Sequence, residues 1–292
     1  MSGPDKLLSL ADAVTMNVKN GDLVFVGGFG QGVPFALGRE VVRQGLRDLS
    51  LCRTGADILF DILVAAGCVS RVMFGWYGNP GIGLSHVLRR AVADGVLAVA
   101  ETSNFGLLLG LHAARLGVPF LPARILLDGD MPAHAPGLST VICPFTGETL
   151  SAVAAIRPDV ALIHAQQADP AGNVQLWGIK GDTVEGAEAA RRVICTVERI
   201  VSAEVIAEAP SQTVLAASMV TAVAVAPFGA YPSYVEGHYG RDDDAYRAFE
   251  ALSRRPEALT AYLADTIHAF GSHDAFVESL PHEVKDRLKS HG

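Results

Sequence analysis

Charged residues, cysteines and uninterrupted apolar runs are all scarce in this 292-residue sequence. Only 18% of the residues are charged and the net charge is −8, which argues against nucleic acid and anionic membrane surfaces as partners. The four cysteines lack the CxxC spacing of a zinc or redox site, and the nine histidines include no HExxH pair. We therefore expect no bound metal and no other resident cofactor.

No apolar stretch reaches the length of a membrane span, because Gly, Pro or charged residues interrupt each one. The first residues, MSGPDKLLSLADAV, lack the apolar run of a signal peptide. Cys52, Cys143 and Cys195 lie in apolar, strand-like runs and are expected to be buried thiols, as in a reducing compartment. These features predict a cytoplasmic protein that does not enter a membrane.

Half of the residues are hydrophobic, and apolar strands alternate with helices along the sequence. Strands are predicted at 23–28, 49–53, 71–78, 96–101, 160–163, 193–197 and 220–226, and helices at 8–18, 35–47, 57–66, 84–93 and 105–116. This alternation predicts an α/β fold with an open, mostly parallel sheet and helices on both faces. Residues 118–124, which include Pro119 and Pro122, are expected to form a rigid extended connector, and residues 125–139 a surface loop.

The character of the sequence changes at Arg241, where a charged, helical segment begins that Pro256 interrupts. We therefore divide the chain into an α/β domain at residues 1–240 and a helical carboxyl-terminal appendage of the same domain at residues 241–292. This appendage is expected to pack on the domain or on another protein chain.

A glycine-rich stretch, GGFGQGVP at residues 27–34, follows the first predicted strand and precedes a helix. Its glycines would let backbone N–H groups approach a ligand closely. A nicotinamide nucleotide is disfavoured, because the spacing is not GxGxxG, Pro34 takes the place of the third glycine, and the next strand ends without an acidic residue. ATP is disfavoured too, since the sequence contains no GxxxxGK[ST].

Residues 159–178 begin as a buried strand and become polar at His164, Gln166, Gln167 and Asp169. Polar residues where a parallel strand meets its loop are typical of ligand sites in α/β folds. A polar hairpin tip that only holds loops together would give the same pattern. His164 is therefore open to two interpretations, a residue that lines a site or a structural histidine.

Glu101 ends a predicted strand, beside Thr102, Ser103 and Asn104 at the start of a helix. A carboxylate in this place can serve as a base, a nucleophile or an acceptor that positions a substrate. It can also do no more than stabilise the helix dipole. A serine nucleophile is not indicated, because the sequence contains no GxSxG.

Six stretches, in the family's order, resemble the A (alpha) subunit of family I coenzyme A transferases, especially the branch of the glutaconate CoA-transferase. They are NGDLVFVGGFGQGVP at 20–34, GADILFDILVAAGCVSRVMFGWYGN at 55–79, ETSNFGLLLGLHAARLGVPFLPAR at 101–124, DVALIHAQQADPAGNVQLWG at 159–178, VERIV at 197–201 and APFGAYPSY at 226–234. The first is one residue shorter than the commoner GGFxxxGxP form. The resemblance covers most of residues 15–240 and implies a fold shared with sugar-phosphate isomerases.

The resemblance implies a ping-pong transfer of CoA from an acyl-CoA to a free carboxylic acid. A glutamate carboxylate attacks the thioester, the released CoA converts the mixed anhydride into a glutamyl-CoA thioester, and the acceptor acid reverses these steps. In the family this glutamate belongs to the B subunit, usually in a Glu-x-Gly context, and the present sequence contains no Glu-x-Gly. The chain is therefore expected to be half of an enzyme, joined to a B subunit in an A₂B₂ heterotetramer.

The resemblance also implies that this half supplies the glycine loop and walls of the acid pocket. The expected substrate-binding residues are Gly28, Phe29, Gly30, Gln31, Gly32, Ser103, Asn104, His164 and Gln166. A small dicarboxylate such as glutaconate fits the branch, and the candidate cations for it are Arg53, Arg124 and Lys180.

Two other functions remain open. Some relatives in the branch resemble a cholesterol-ring-cleaving hydrolase or a glutaconyl-CoA decarboxylase. In the ring-cleaving relatives a glutamate of the corresponding chain is implicated, and Glu101 lies in the matching segment. If the B subunit lacks its glutamate, Glu101 becomes the catalytic candidate. The third hypothesis is a non-catalytic binding subunit, because the chain carries no complete catalytic set.

Overall fold

The computed structural model describes residues 5–79, 81–135 and 137–291. Residues 1–4 of the predicted α/β domain, Pro136 of the predicted loop and residue 292 of the predicted appendage lie outside the described residues. The strands are β1 (Leu23–Val26), β2 (Leu49–Cys52), β3 (Gly55–Ala56), β4 (Val69–Phe74), β5 (Trp76–Tyr77), β6 (Ala98–Glu101), β7 (Phe120–Ala123), β8 (Leu138–Ile142), β9 (Thr149–Ala154), β10 (Val160–Ala168), β11 (Val174–Gln175), β12 (Val193–Ile200), β13 (Thr213–Leu215) and β14 (Ala222–Val225). The helices are α1 (Leu10–Asn17), α2 (Phe35–Arg43), α3 (Ile58–Ala65), α4 (His86–Ala93), α5 (Asn104–Arg115), α6 (Met131–His134), α7 (Thr183–Ala189), α8 (Ala203–Glu208), α9 (Asp243–Ser253), α10 (Pro256–Leu263), α11 (His273–Ser279) and α12 (His282–Lys289).

Parallel strands form the body of the main sheet, in the order β14-β12-β10-β1-β2-β4-β6. The short strands β11 and β13 extend the sheet at the carboxyl end of β10, where β11 pairs antiparallel with Gln167 and Ala168 and β13 pairs antiparallel with β11. β10 is buried along its whole length, which explains why its sequence is continuously apolar at first instead of alternating. The predicted α/β fold with an open, mostly parallel sheet is confirmed.

Helices cover both faces of this sheet. Val24 and Val26 of β1 belong to a hydrophobic cluster that includes buried residues of α1 to α4. Phe25, between them, points to the opposite face and packs in a second cluster with Leu107 and Leu111 of α5. The alternation of side chains along one strand therefore supplies both layers of the core.

The direction of the chain through the sheet reverses beside β1. From β1 the chain moves outward through β2, β4 and β6, and it later returns to the other side of β1 as β10. A reversal of this kind opens a crevice at the carboxyl ends of the two central strands, where α/β folds bind ligands. The glycine stretch at 27–34 follows β1 there. Of the predicted polar residues, His164, Gln166 and Gln167 lie in the carboxyl-terminal half of β10, and Asp169 comes just after the strand.

The carboxyl-terminal helices pack on the sheet domain. Tyr246 and Phe249 of α9, together with Leu259 and Leu263 of α10, are buried in the cluster that contains Val24. The predicted helical carboxyl-terminal region is therefore confirmed, whereas the division of the chain at residue 240 stays a prediction.

The predicted connector and the predicted loop contain secondary structure. Phe120–Ala123 forms β7, the outer strand of a small antiparallel sheet in the order β7-β9-β8, and residues 125–139 include α6 and the start of β8. Pro122 is tolerated in β7 because a strand at an edge pairs on one side only. Cys143 is half-buried instead of buried, since it lies in a turn just after β8, where Gly147 donates to its carbonyl.

Across the part of the chain that the structure describes, no helix combines the length and the apolar character that a membrane span requires. In the same residues, no three His, Cys, Asp or Glu side chains are grouped so that they could hold a metal ion.

Candidate active site

The glycine loop at residues 27–34 forms a tight turn at the carboxyl end of β1. Gly28, Gly30 and Gly32 have φ angles of 86°, 74° and 63°, a region that favours glycine. A Cβ atom at Gly28 would lie 2.7 Å from the carbonyl oxygen of Gln31, so the turn has no room for a side chain there. The Gly28 N–H donates to Thr183 Oγ1 (2.8 Å), and the Gly32 N–H donates to the Tyr234 carbonyl (2.9 Å).

A cavity of about 390 Å³ lies beside this loop, at the carboxyl ends of β1 and β2. Its lining residues are Phe29, Gly30, Arg53, Gly55, Ala56, Asp57, Trp76, Asn104, Ile179, Tyr234, Arg241 and Tyr246. Most of this wall is aromatic or aliphatic, and few groups in it are charged. A mostly apolar pocket with a few convergent polar groups is typical of a site for a small organic molecule.

Two guanidinium groups and one carboxylate are the charged groups of the pocket wall. Arg53, which is 1% exposed, pairs through Nη1 with Asp57 Oδ2 at 3.2 Å. Within the described residues the Arg53 Nε atom has no hydrogen-bond partner. Arg241 places its guanidinium carbon 4.1 Å from the centre of the Tyr246 ring and its Nε 3.1 Å from Asp243 Oδ1. Each guanidinium thus has a carboxylate beside it, and guanidinium groups in a pocket wall are suited to binding an anionic ligand.

Large apolar side chains stand exposed around the pocket. Phe29 is 45% exposed, Trp76 is 42% exposed and Ile179 is 54% exposed. Trp76 is held in place through its neighbour Tyr77, whose hydroxyl donates to Asp61 (2.9 Å), and Ser85 donates to the same carboxylate. Burial raises the pKa of Asp61 to about 7, although these two hydrogen bonds oppose the shift.

His164 lies behind the glycine loop in a buried polar network. Its Nδ1 is 2.9 Å from Thr196 Oγ1, and its Nε2 is 2.8 Å from Glu198 Oε1. Glu198 also accepts from the Tyr239 hydroxyl (2.9 Å) and from the Phe228 N–H (3.0 Å). Burial alone would raise the pKa of Glu198, but the contacts with His164, together with the hydrogen bonds from Phe228 and Tyr239, outweigh burial and lower that pKa. The network joins β10 and β12 to residues 228–239.

Gln31 and Gln166 fasten a neighbouring segment to the loop. Both donate from Nε2 to the Trp177 carbonyl, at 2.6 Å and 3.1 Å respectively, and Gln31 also donates to the Ile179 carbonyl (3.1 Å). The Glu236 N–H donates to Gln31 Oε1 (3.1 Å). Since Ile179 lines the pocket, these two amides support one of its walls from behind.

Glu101 and Asn104 line different cavities. Asn104 lies in the main pocket, whereas Glu101 lines a second cavity of about 250 Å³ with Met73 and Arg157. Ser103, between them, caps α5 by accepting from the Gly106 N–H (2.9 Å). Glu101 is exposed at the end of β6, and in the described chain its carboxylate has no hydrogen-bond or ion-pair partner.

Of the predicted substrate-binding residues, Phe29, Gly30 and Asn104 line the main pocket. Gly28, Gln31 and Gly32 shape the loop beside it, Ser103 caps a helix, and His164 and Gln166 are buried behind it. Their roles in binding stay predictions. Of the candidate cations, Arg53 lies in the pocket, and Arg124 forms a surface pair with Glu148.

Several pocket residues were not predicted from the sequence: Trp76, Ile179, Tyr234, Arg241 and Tyr246. Trp76 and Tyr234 lie in two of the quoted family stretches, which was the signal available for them. Arg241 and Tyr246 lie in the segment that the sequence assigns to the appendage.

Comparison with known proteins gives consistent matches. A sequence model of the family described as "Coenzyme A transferase" matches residues 7–226. The A subunit of the 3-oxoadipate CoA-transferase of Pseudomonas knackmussii is 42% identical over 266 residues, which are 90% of this chain and 93% of that protein. The crystal structure of glutaconate coenzyme A-transferase from Acidaminococcus fermentans superposes with a TM-score of 0.93 at 31% identity, covering 97% of this chain and 95% of that one.

A relative that is named for a different activity also matches. The cholesterol ring-cleaving hydrolase IpdA subunit of Rhodococcus jostii is 31% identical over 288 residues, 94% of this chain and 96% of that protein. The resemblance to the A subunit of the glutaconate CoA-transferase branch is confirmed by its structural match and by the relative at 42% identity. With a family model spanning three quarters of its length and relatives matched almost end to end, the chain belongs to the coenzyme A transferase family, as an A subunit.

Proposed function

We propose that this half of a CoA-transferase handles a small dicarboxylic acid and that its B subunit supplies the nucleophilic glutamate. The observation that carries the proposal is the apolar pocket beside the glycine loop, with Arg53 and Arg241 in its wall. A dicarboxylic acyl group presents one carboxyl group for reaction and a second one for recognition. The relatives named for glutaconate and for 3-oxoadipate act on acids of this kind, which supports the same class here.

The nucleophile is assigned to the B subunit because the pocket holds no suitable carboxylate among the described residues. Asp57 is the carboxylate of the described pocket wall, and it pairs with Arg53 and caps α3 by accepting from the Leu59 N–H (3.1 Å). A carboxylate with these two tasks is a poor nucleophile. A glutamate from the B subunit, entering past Phe29 and Trp76, would attack the thioester carbon and release CoA as a thiolate.

The glycine loop supplies a candidate oxyanion donor for this attack. In the described residues the N–H of Gly30 has no hydrogen-bond acceptor, and Gly30 lines the pocket. A fixed donor aimed at the developing oxyanion stabilises the transition state without reorganisation. Thr183 and Tyr234 hold the loop on either side of Gly30, which keeps this N–H in place.

The exposed apolar rim of Phe29, Trp76 and Ile179 supports contact between the pocket mouth and the B subunit. We propose the A₂B₂ arrangement for this complex. We also propose a cytoplasmic location, since Cys52, Cys68, Cys143 and Cys195 are free thiols, which is typical of a reducing compartment.

The direct test is mass spectrometry of CoA species after the chain is co-expressed with its B subunit, with glutaconyl-CoA and acetate supplied as substrates. The proposal predicts acetyl-CoA together with free glutaconate. Free CoA without acetyl-CoA, or a decarboxylated acyl-CoA, would contradict it.

Arg241→Gln is expected to raise KM for glutaconate as CoA acceptor by about tenfold or more, because a charged hydrogen bond to the second carboxylate is lost. KM for acetate, which has no second carboxylate, should change by less than about twofold. Arg247→Gln is the matched control. Arg247 lies nearby on α9, but its side chain is 63% exposed and does not line the pocket, so its loss should leave both KM values unchanged. Equal effects of Arg241→Gln on both acids would show that Arg241 does not select for dicarboxylates.

The second candidate function is hydrolysis of a cyclic acyl-CoA by Glu101, favoured by the ring-cleaving relative and by the exposed carboxylate at the end of β6. Glu101→Gln separates the two functions. We expect the variant to retain CoA transfer within about threefold, since the nucleophile is in the B subunit. Loss of all CoA chemistry in a folded Glu101→Gln complex would favour the hydrolase.

A further inference from the structure

A second buried arginine lies outside the candidate active site. Arg39, on α2, is 5% exposed and donates from Nη1 and Nη2 to the Tyr231 carbonyl, at 3.2 Å and 2.8 Å. Its guanidinium carbon lies 4.1 Å from the centre of the Phe276 ring and 5.7 Å from that of Phe35. Its Nε atom has no hydrogen-bond partner within the described residues.

This guanidinium lacks a carboxylate partner, unlike its neighbours. Arg43, one turn further along α2, pairs with Glu40, and Arg53 pairs with Asp57. Among the described residues no carboxylate forms an ion pair with Arg39. Burial lowers the pKa of Arg39 to about 10, so the group is still charged at neutral pH. A buried charge is costly unless it is paired, and the contacts with Tyr231 and Phe276 offset only part of that cost.

A cavity of about 270 Å³ adjoins Arg39, between α2, α3 and the carboxyl-terminal helices. Arg39 is the charged residue in its described wall, and most of the remaining wall is apolar, with Ile58, Phe249, Ile267 and Phe276 among its members. This cavity shares no described lining residue with the pocket beside the glycine loop. The described wall therefore combines a cation that has an unpaired donor with a hydrophobic surface.

We infer that this cavity binds a short-chain aliphatic monocarboxylate, with the carboxylate on Arg39 and the hydrocarbon chain against Ile58, Phe249 and Ile267. The carboxylate would supply the missing counter-ion and an acceptor for Nε. A dicarboxylate of the same length is excluded, because its second charge would be buried among apolar side chains without a partner. The inference does not depend on the proposed substrate class, which concerns the other pocket.

The test is isothermal titration calorimetry of the chain in complex with its B subunit, with hexanoate, adipate and 1-hexanol as probes of equal carbon number. We expect saturable binding of hexanoate and at least about tenfold weaker binding of adipate and of 1-hexanol. Ala248→Leu, which adds bulk at the exposed edge of the cavity on α9 and leaves Arg39 in place, should weaken hexanoate binding by about tenfold or more. Arg39→Met should weaken hexanoate binding by a similar factor, and Arg241→Gln in the other pocket should leave hexanoate binding unchanged.

Three results would overturn the inference: adipate binding as tightly as hexanoate, unchanged hexanoate binding in the Ala248→Leu complex, or no hexanoate binding to the folded wild-type complex. Ala248→Leu keeps the test decisive if Arg39→Met does not fold. Failure of this inference is distinguishable from failure of the proposed function, which is measured by CoA transfer.

Discussion

Gly28→Ala is expected to lower kcat/KM for CoA transfer by about 100-fold or more, because it displaces the backbone of the glycine loop. The new Cβ would lie 2.7 Å from the Gln31 carbonyl oxygen and 2.7 Å from the backbone of Gly32, and neither backbone atom can move alone. The φ angle of 86° adds strain for any residue with a side chain. Because Gly30 is two residues away and lines the pocket, the shift would carry its N–H away from the reacting carbonyl.

Gly21→Ala is the matched control for backbone strain. Gly21 has a nearly identical φ of 84°, but a Cβ atom there would meet no other atom within 4 Å. This variant should lose about 1–2 kcal/mol of stability and keep its activity within about twofold. Kinetics of both variants, each in complex with the B subunit, would separate strain from displacement. If the activity of Gly28→Ala were close to that of Gly21→Ala, the glycine loop would have no role in the reaction.

Glu198→Ala is expected to reduce the free energy of unfolding by about 3–5 kcal/mol, the cost of breaking a buried charge network by removing one partner. The substitution leaves His164, the Tyr239 hydroxyl and the Phe228 N–H without their common acceptor. The Glu198 side chain is 6% exposed, so water cannot readily replace it. Chemical denaturation followed by circular dichroism would measure the loss.

Glu208→Ala is the control for this series, because Glu208 is an exposed glutamate at the end of α8. It should change the free energy of unfolding by less than about 0.5 kcal/mol. Glu198→Gln keeps the shape and one acceptor oxygen and should fall between the two alanine variants. If Glu198→Ala and Glu208→Ala were equally stable, the network would not hold β10 and β12 to residues 228–239.

The sequence predicted the sheet well where the type of residue, apolar or glycine, determines the local structure by itself. Val160 to Ile163 were predicted to form a buried strand. Consecutive side chains of a strand point to opposite faces, so four apolar residues in a row make both faces apolar, and both must be covered. The glycine-rich stretch at 27–34 was expected between a strand and a helix, and the structure has a loop there, with positive φ angles at Gly28, Gly30 and Gly32. These features depend on local chemistry, so a short stretch of sequence contains all of the information.

The sequence predicted less about which way a polar side chain points. Gln31 and Gln166 are of a residue type that often binds ligands, yet both side-chain amides donate hydrogen bonds to a backbone carbonyl behind the pocket wall. Arg241 lines the pocket because parts of the chain that are distant in sequence pack together. Such packing produces no periodic pattern in the sequence from which the position of Arg241 could be predicted. The strand at 120–123 was missed because proline argues against strands in general, although it is compatible with an edge.

The pocket combines residues from almost the whole length of the chain. Phe29 belongs to its first tenth, whereas Tyr246 lies in α9 and is buried against the same cluster as β1. Contacts between residues so far apart in sequence form late in folding, because a long loop must close first. A nascent chain still on the ribosome can therefore build its central strands but cannot complete this pocket, so the pocket forms only near the end of the protein's own synthesis.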